Sequence, residues 1–150
     1  MTSAVMGKIM GTVHLPEHVA ANAKQLARKF FATAEANEFC GDAVETYVVP
    51  FWATRLGTDW LPDISQLGYR RAGRPSELVA TAGVDSHTDD IGLVLMVVLH
   101  NDGLAFRQGR VIQKAKAGDW FIFDDRRPHE VREADGNASF LGWHIPLIGV

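Results

Sequence analysis

Ile91-Gly92-Leu93-Val94-Leu95-Met96-Val97-Val98-Leu99 is a run of nine residues without a polar side chain. It is too short to cross a bilayer as a helix, which takes roughly 20 residues. It also lacks the polar positions at three- and four-residue spacing that an amphipathic helix shows. A continuous apolar run of this length, closed by Asn101-Asp102-Gly103, reads as a strand covered on both faces.

The sequence on either side supports a barrel built around it. Downstream, Leu104–Arg107 and Val111–Lys116 flank Gln108-Gly109-Arg110, which reads as a hairpin connection. Ala117-Gly118-Asp119 turns into Trp120–Phe123, a core strand. His129–Arg132 opens another strand, Asp135-Gly136-Asn137 turns it, and Ser139–Ile145 closes the series. Upstream, Leu78–Thr81 is short and apolar, and Val44–Trp52 is β-branched and aromatic, with Pro50 confining it to an edge or an ending. Leu56–Ser76, punctuated by Gly57, Pro62, Gly68, Gly73 and Pro75, reads as loop. Short strands at this spacing predict a β-barrel or jelly roll. Pro16–Asn37 differs: Val19, Ala23, Leu26, Ala27, Phe30, Phe31 and Ala34 recur at helical spacing, which predicts one amphipathic helix packed outside a sheet.

The bulk numbers set wide bounds. The 150 residues suit one domain, with the helix at about 16–37 and the barrel at about 78–147. Net charge is -3, which predicts neither a nucleic-acid-binding nor a membrane-seeking surface. Cys40 is the sole cysteine, so no internal disulfide is possible, which fits a reducing, cytoplasmic setting. Arg70-Arg71 and Arg126-Arg127 read as solvated loops. His14 and His18 read as surface residues, and His100 and His144 as structural ones.

One short motif carries chemistry. His87-Thr88-Asp89 places a His and an Asp two apart on an extended segment, so both side chains point the same way. Asp90, next in line, faces away. His129, on a distant strand, completes a set of two His and one carboxylate, which leaves coordination positions open and suits iron(II) and oxygen.

Together with its surroundings, this set resembles the iron(II)/2-oxoglutarate-dependent dioxygenases, and among them the prolyl-hydroxylase-like branch. His87-Thr88-Asp89 looks like that family's HxD, and Asp102-Gly103-Leu104-Ala105-Phe106 like its glycine-led strand. Ala117-Gly118-Asp119-Trp120-Phe121-Ile122-Phe123-Asp124 looks like the strand before the distal ligand, and Arg126-Arg127-Pro128-His129-Glu130-Val131 like the distal-histidine segment. The resemblance covers about Val84 to Trp143. It implies a double-stranded β-helix with the N-terminal helix buttressing its major sheet. It also implies that His87, Asp89 and His129 bind Fe(II), and that a substrate is hydroxylated while 2-oxoglutarate is decarboxylated to succinate. The protein's part would be to keep positions open and aim the substrate C–H.

The sequence departs from the family where the remote carboxylate of 2-oxoglutarate is held. After the distal His, where the family carries an Arg or Lys, stands Gly136-Asn137-Ala138-Ser139. On the strand after HxD, where the branch supplies a Tyr, stands Met96-Val97-Val98. A buried carboxylate needs a partner, best a bidentate Arg. Arg107, sharing a strand face with Gly103 and Ala105, is the candidate, with Ser139 as a further hydrogen-bond donor. Trp143 is placed to wall a substrate pocket. The expected substrate is a small molecule or a peptide side chain. Two other readings share the barrel: a cupin-type metal protein that does not use 2-oxoglutarate, and a non-catalytic barrel that senses a metal or ligand. The sequence is silent on oligomeric state.

Overall fold

Strands account for most of what the computed structural model describes, namely residues 6–22, 25, 44–47, 59–70, 77–81, 83–90, 92–132 and 138–145. In chain order they are β1 (Gly11–Thr12), β2 (Val44–Tyr47), β3 (Glu77–Thr81), β4 (Val84–His87), β5 (Leu93–Asn101), β6 (Ala105–Gln108), β7 (Val111–Gln113), β8 (Asp119–Asp124), β9 (His129–Arg132) and β10 (Ala138–Ile145). They form two antiparallel sheets, a six-stranded one in the order β1-β8-β5-β10-β3-β2 and a four-stranded one in the order β4-β9-β6-β7. This is a β-sandwich of the jelly-roll kind, as the turn spacing predicts.

The opening run of the sequence forms the middle of the larger sheet. β5 pairs with β10 on one edge and β8 on the other, so its backbone is satisfied on both sides. Its side chains divide by alternation. Val94, Met96 and Val98 enter the interior with Phe121, Phe123, Phe140 and, from the smaller sheet, Phe106. Leu93, Leu95, Val97 and Leu99 turn outward and are covered by Val19 and Ile64 with Leu15, Trp60 and Leu61 around them. Over Leu93–Leu99 both faces are therefore dry, and the polar residues of β5, His100 and Asn101, come only at its end. Leu95 and Val97 have no exposed surface at all; full burial of such a side chain contributes about 1.5–3 kcal/mol.

The covering layer begins with a helix. Residues 17–22 are helical, started by Pro16, whose carbonyl accepts from the N–H of Val19 (2.9 Å) and Ala20 (3.1 Å). The expected continuation to Asn37 lies outside the described residues, as does the expected continuation of β2 to Trp52. Inside the predicted loop, Ile64–Leu67 forms a 3-10 turn. The Asp63 side chain accepts from the Ser65 N–H at its start, and Gly68 in left-handed conformation ends it. Among the described residues no helix is long and apolar enough to cross a membrane.

The smaller sheet has one dry face and one wet face. Along β6, Phe106 and Gln108 are buried while Arg107 is exposed. Along β9, His129 is buried and Arg132 exposed. The register pairs Gln108 with His129 and Arg107 with Glu130, so the buried and exposed sets each line up across strands.

The N-terminal segment joins the free edges of the two sheets. Gly7 N–H donates to the Ile122 carbonyl (2.7 Å) and Met10 N–H to that of Trp120 (2.9 Å), both on β8. On the other side, the Gln113 carboxamide of β7 donates to the Gly7 carbonyl (2.6 Å) and accepts from the Ile9 N–H (2.7 Å). Segment 7–12 thus covers an edge that would otherwise expose unpaired backbone.

Candidate metal centre

Three elements bring the ligand set together. His87 is the last residue of β4 and His129 the first of β9, and the antiparallel ladder pairs them directly. Their rings lie on one face, centroids 4.4 Å apart. Asp89 follows just beyond the end of β4. Its Oδ2 is 3.3 Å from His87 Nε2 and 3.4 Å from His129 Nε2. One ligand atom from each of the three residues lies within 4.8 Å of the others. Among the described residues this is the sole such grouping of His, Cys, Asp or Glu. Asp90 is exposed beside it and does not belong to the group.

The histidines are set in the tautomer a metal needs. His87 Nδ1 lies 2.8 Å from the Asp85 carbonyl, and His129 Nδ1 lies 2.9 Å from the Arg127 carbonyl. A carbonyl oxygen only accepts, so each Nδ1 carries a hydrogen, and Nε2 is the ring atom left to face a metal. That is the usual outer support of a metal-binding histidine. His129 sits on an aromatic floor, with Phe123 4.9 Å and Phe106 6.4 Å away between ring centroids. His87 and Asp89 are open to solvent, so the group lies at the rim, with an apolar wall on one side and water on the other.

The turn before β9 is tightly held. Asp124 takes Nε and Nη2 of Arg126 on its two oxygens, both at 2.9 Å. The Arg126 side-chain hydrogen bonds hold its carboxyl below the ordinary carboxylate range. Gln108 is buried, and its Nε2 donates to the Asp124 carbonyl at 2.7 Å. Sequence reasoning missed the role of Gln108 and of the buried Asp125. Gln108 sits in a segment that reads as a hairpin connection, and neither residue carries a periodic signal.

Of the residues expected to hold the remote carboxylate of 2-oxoglutarate, Arg107 is exposed and Ser139 is buried. Arg107 stands on the wet face of the smaller sheet, opposite Phe106 and Gln108. Its Nη1 is 3.4 Å from Glu130 Oε1, in an open groove lined by Ser86, Gly109, Pro128, His129 and Glu130. Alternation along β6 turns the Arg107 side chain to the face opposite the buried Phe106 and Gln108, and the groove it lines also takes in His129. Ser139 has no exposed surface. It lies between Ala138 and Phe140, both in the interior cluster, so alternation turns it to the other face. Its buried hydroxyl has no hydrogen-bond partner among the described residues. Trp143 is the register partner of Leu95, and its side chain lies outside the described residues. Among the described residues every Lys and Arg is exposed, so none is buried in the sandwich. His14 and His18 are exposed as expected, and His100 Nε2 lies 3.1 Å from Asp102 Oδ1.

No family model matches the sequence, and no curated protein does. Solved structures do match by shape. A prolyl-4-hydroxylase of Pseudomonas putida superposes with a TM-score of 0.53 at 17% identity, over 91% of each chain. AviO1 of Streptomyces viridochromogenes gives 0.48 at 13% identity, over 93% of this chain and 90% of that one. EvdMO1 gives 0.48 at 15% identity, over 89% of this chain and 45% of that one. The chain therefore shares the fold of that prolyl-4-hydroxylase, and the likeness is one of fold alone. On it, His87, Asp89 and His129 form a group able to bind a metal ion.

Proposed function

We propose that the protein is an Fe(II)-dependent oxygenase that takes 2-oxoglutarate as co-substrate and hydroxylates a small molecule or a peptide side chain. The observation that carries this reading is the donor set: two Nε2 lone pairs fixed by main-chain carbonyls and one carboxylate, converging within 4.8 Å. Two imidazoles and a carboxylate suit a divalent ion of intermediate softness and leave positions open. His87, Asp89 and His129 would hold the ion, which when bound supplies Lewis acidity and one-electron chemistry toward oxygen. The chain's own contribution is structural. Asp85 and Arg127 carbonyls fix the imidazoles, Phe123 and Phe106 keep water from the inner side of His129, and the open side at His87 and Asp89 admits substrate.

A second reading has one observation in its favour. No described Lys or Arg is buried beside the triad to neutralise a second carboxylate. A cupin-type metal protein acting without 2-oxoglutarate needs no such cation. The two readings separate in one titration. Anaerobic Fe(II) protein mixed with 2-oxoglutarate develops a weak visible charge-transfer band on the first reading, and succinate forms on admission of oxygen. Iron binding with neither response favours the second.

A further inference from the structure

We propose that Asp125 is the positioning residue of the metal centre: through the turn 124–127 it sets Asp89 and His129 in place without touching the ion. This rests on the reading of the triad as a metal site.

Asp125 is 3% exposed, although it directly precedes Arg126-Arg127, which reads as a solvated loop. A carboxylate stays buried only where hydrogen bonds replace its water. Its Oδ1 accepts from the Gly92 N–H at 2.7 Å, and its own N–H donates to the Gly92 carbonyl at 2.9 Å. This reciprocal pair ties the turn before β9 to the segment after the HxD motif, just ahead of β5.

The ligands depend on that tie. Asp89 lies beyond the β4 ladder and its side chain is half exposed, so packing does little to hold it. Its N–H donates to the Asp125 carbonyl at 2.7 Å. The same turn supplies the Arg127 carbonyl that orients His129. Two of three ligands are thus referred to one turn, which Asp125 clamps on one side and Gln108 on the other. Replacing the Asp125 side chain by a methyl would leave the buried Gly92 N–H without its acceptor and free the turn to shift. Supporting partners of this kind are typically worth 10–100-fold in metal affinity.

The test uses Co(II), whose visible bands report coordination, added to the full chain and to Asp125→Ala, Asp125→Asn and Asp89→Ala, with thermal unfolding of each. We expect Asp125→Ala to bind Co(II) at least about tenfold more weakly, with altered bands. Asp125→Asn, whose carboxamide oxygen still accepts from Gly92, should stay close to the parent in both. Parent-like affinity and bands in Asp125→Ala would overturn the proposal. So would a loss in Asp125→Asn equal to that in Asp125→Ala, which would assign the effect to charge. Should Asp125→Ala fail to fold, Asp125→Ser, with a shorter acceptor, takes its place and should fall between parent and Asp89→Ala; parent-like binding there overturns the proposal too. Equal Co(II) binding by the parent and Asp89→Ala would show instead that the triad is not the metal site, and the proposal falls with it.

Discussion

His87 and His129 are direct partners across the β4–β9 ladder, with rings tilted by 54° and centroids 4.4 Å apart. Antiparallel register alone thus brings together two residues far apart in sequence, and Asp89 reaches both from the loop that follows.

His87→Ala, Asp89→Ala and His129→Ala should each abolish Fe(II) or Co(II) binding, because two remaining ligands hold a divalent ion poorly. Asp90→Ala should bind like the parent. His129→Ala should also lower the melting temperature, since the ring packs on Phe123; a core truncation of this kind costs roughly 0.5–3 kcal/mol. Equilibrium dialysis beside thermal unfolding measures both effects.

Arg107→Ala should leave any 2-oxoglutarate-dependent band of the Fe(II) protein unchanged. The guanidinium pairs with Glu130 on the wet face of the smaller sheet. Loss of the band in this variant would mean that the side chain reaches the co-substrate after all.

Asp124 should contribute to stability in a pH-dependent way. Its carboxyl titrates below the ordinary range in the folded protein because Arg126 binds the ionised form. The unfolded chain therefore takes up the proton first as pH falls, and stability drops. The contribution is complete above the ordinary carboxylate pKa and is lost as pH falls through the lowered folded value. Asp124→Asn should thus melt below the parent at neutral pH, with the difference shrinking in strong acid. A difference independent of pH would contradict the assignment.

Gly118→Ala should be clearly destabilising. Gly118 has φ of 94°, and a Cβ there would lie 2.5 Å from the Val13 carbonyl oxygen. Gly118 also donates to the Val98 carbonyl and accepts from the Val13 N–H, both at 2.8 Å, so neither neighbour is free to withdraw. A strained position of this type costs of order 1–3 kcal/mol, readable from chemical denaturation.

Gln113→Ala should loosen the N-terminal segment. Both hydrogen bonds of its carboxamide to Gly7 and Ile9 would be lost. Hydrogen exchange should quicken at Ile9 while β5 keeps its protection.

The sequence made much of this visible, and the exceptions have physical causes. β5 was legible because a strand covered on both faces needs no polar residue. The triad was legible because HxD fixes a shared face and β9 begins at its histidine. The face that Arg107 takes was not legible, because alternation tells which residues share a face, not which face is inside; Phe106, the bulky neighbour, decides that. The same holds for Ser139, since Ala138 and Phe140 take the inner positions on either side. Asp125 and Gln108 were invisible because their burial comes from partners distant in sequence, and a polar residue in a turn looks solvated.

The staple between Gly7, Ile9 and Gln113 also bears on how the chain is made. It joins residues more than a hundred positions apart. Segment 7–12 therefore has no resting place until β7 and β8 have been synthesised. Closure of the sandwich is then a late, non-local step, slow for the entropy it must overcome. Until it occurs, the edge of β8 stands open to any other extended segment in reach, and segment 7–12 is what closes it.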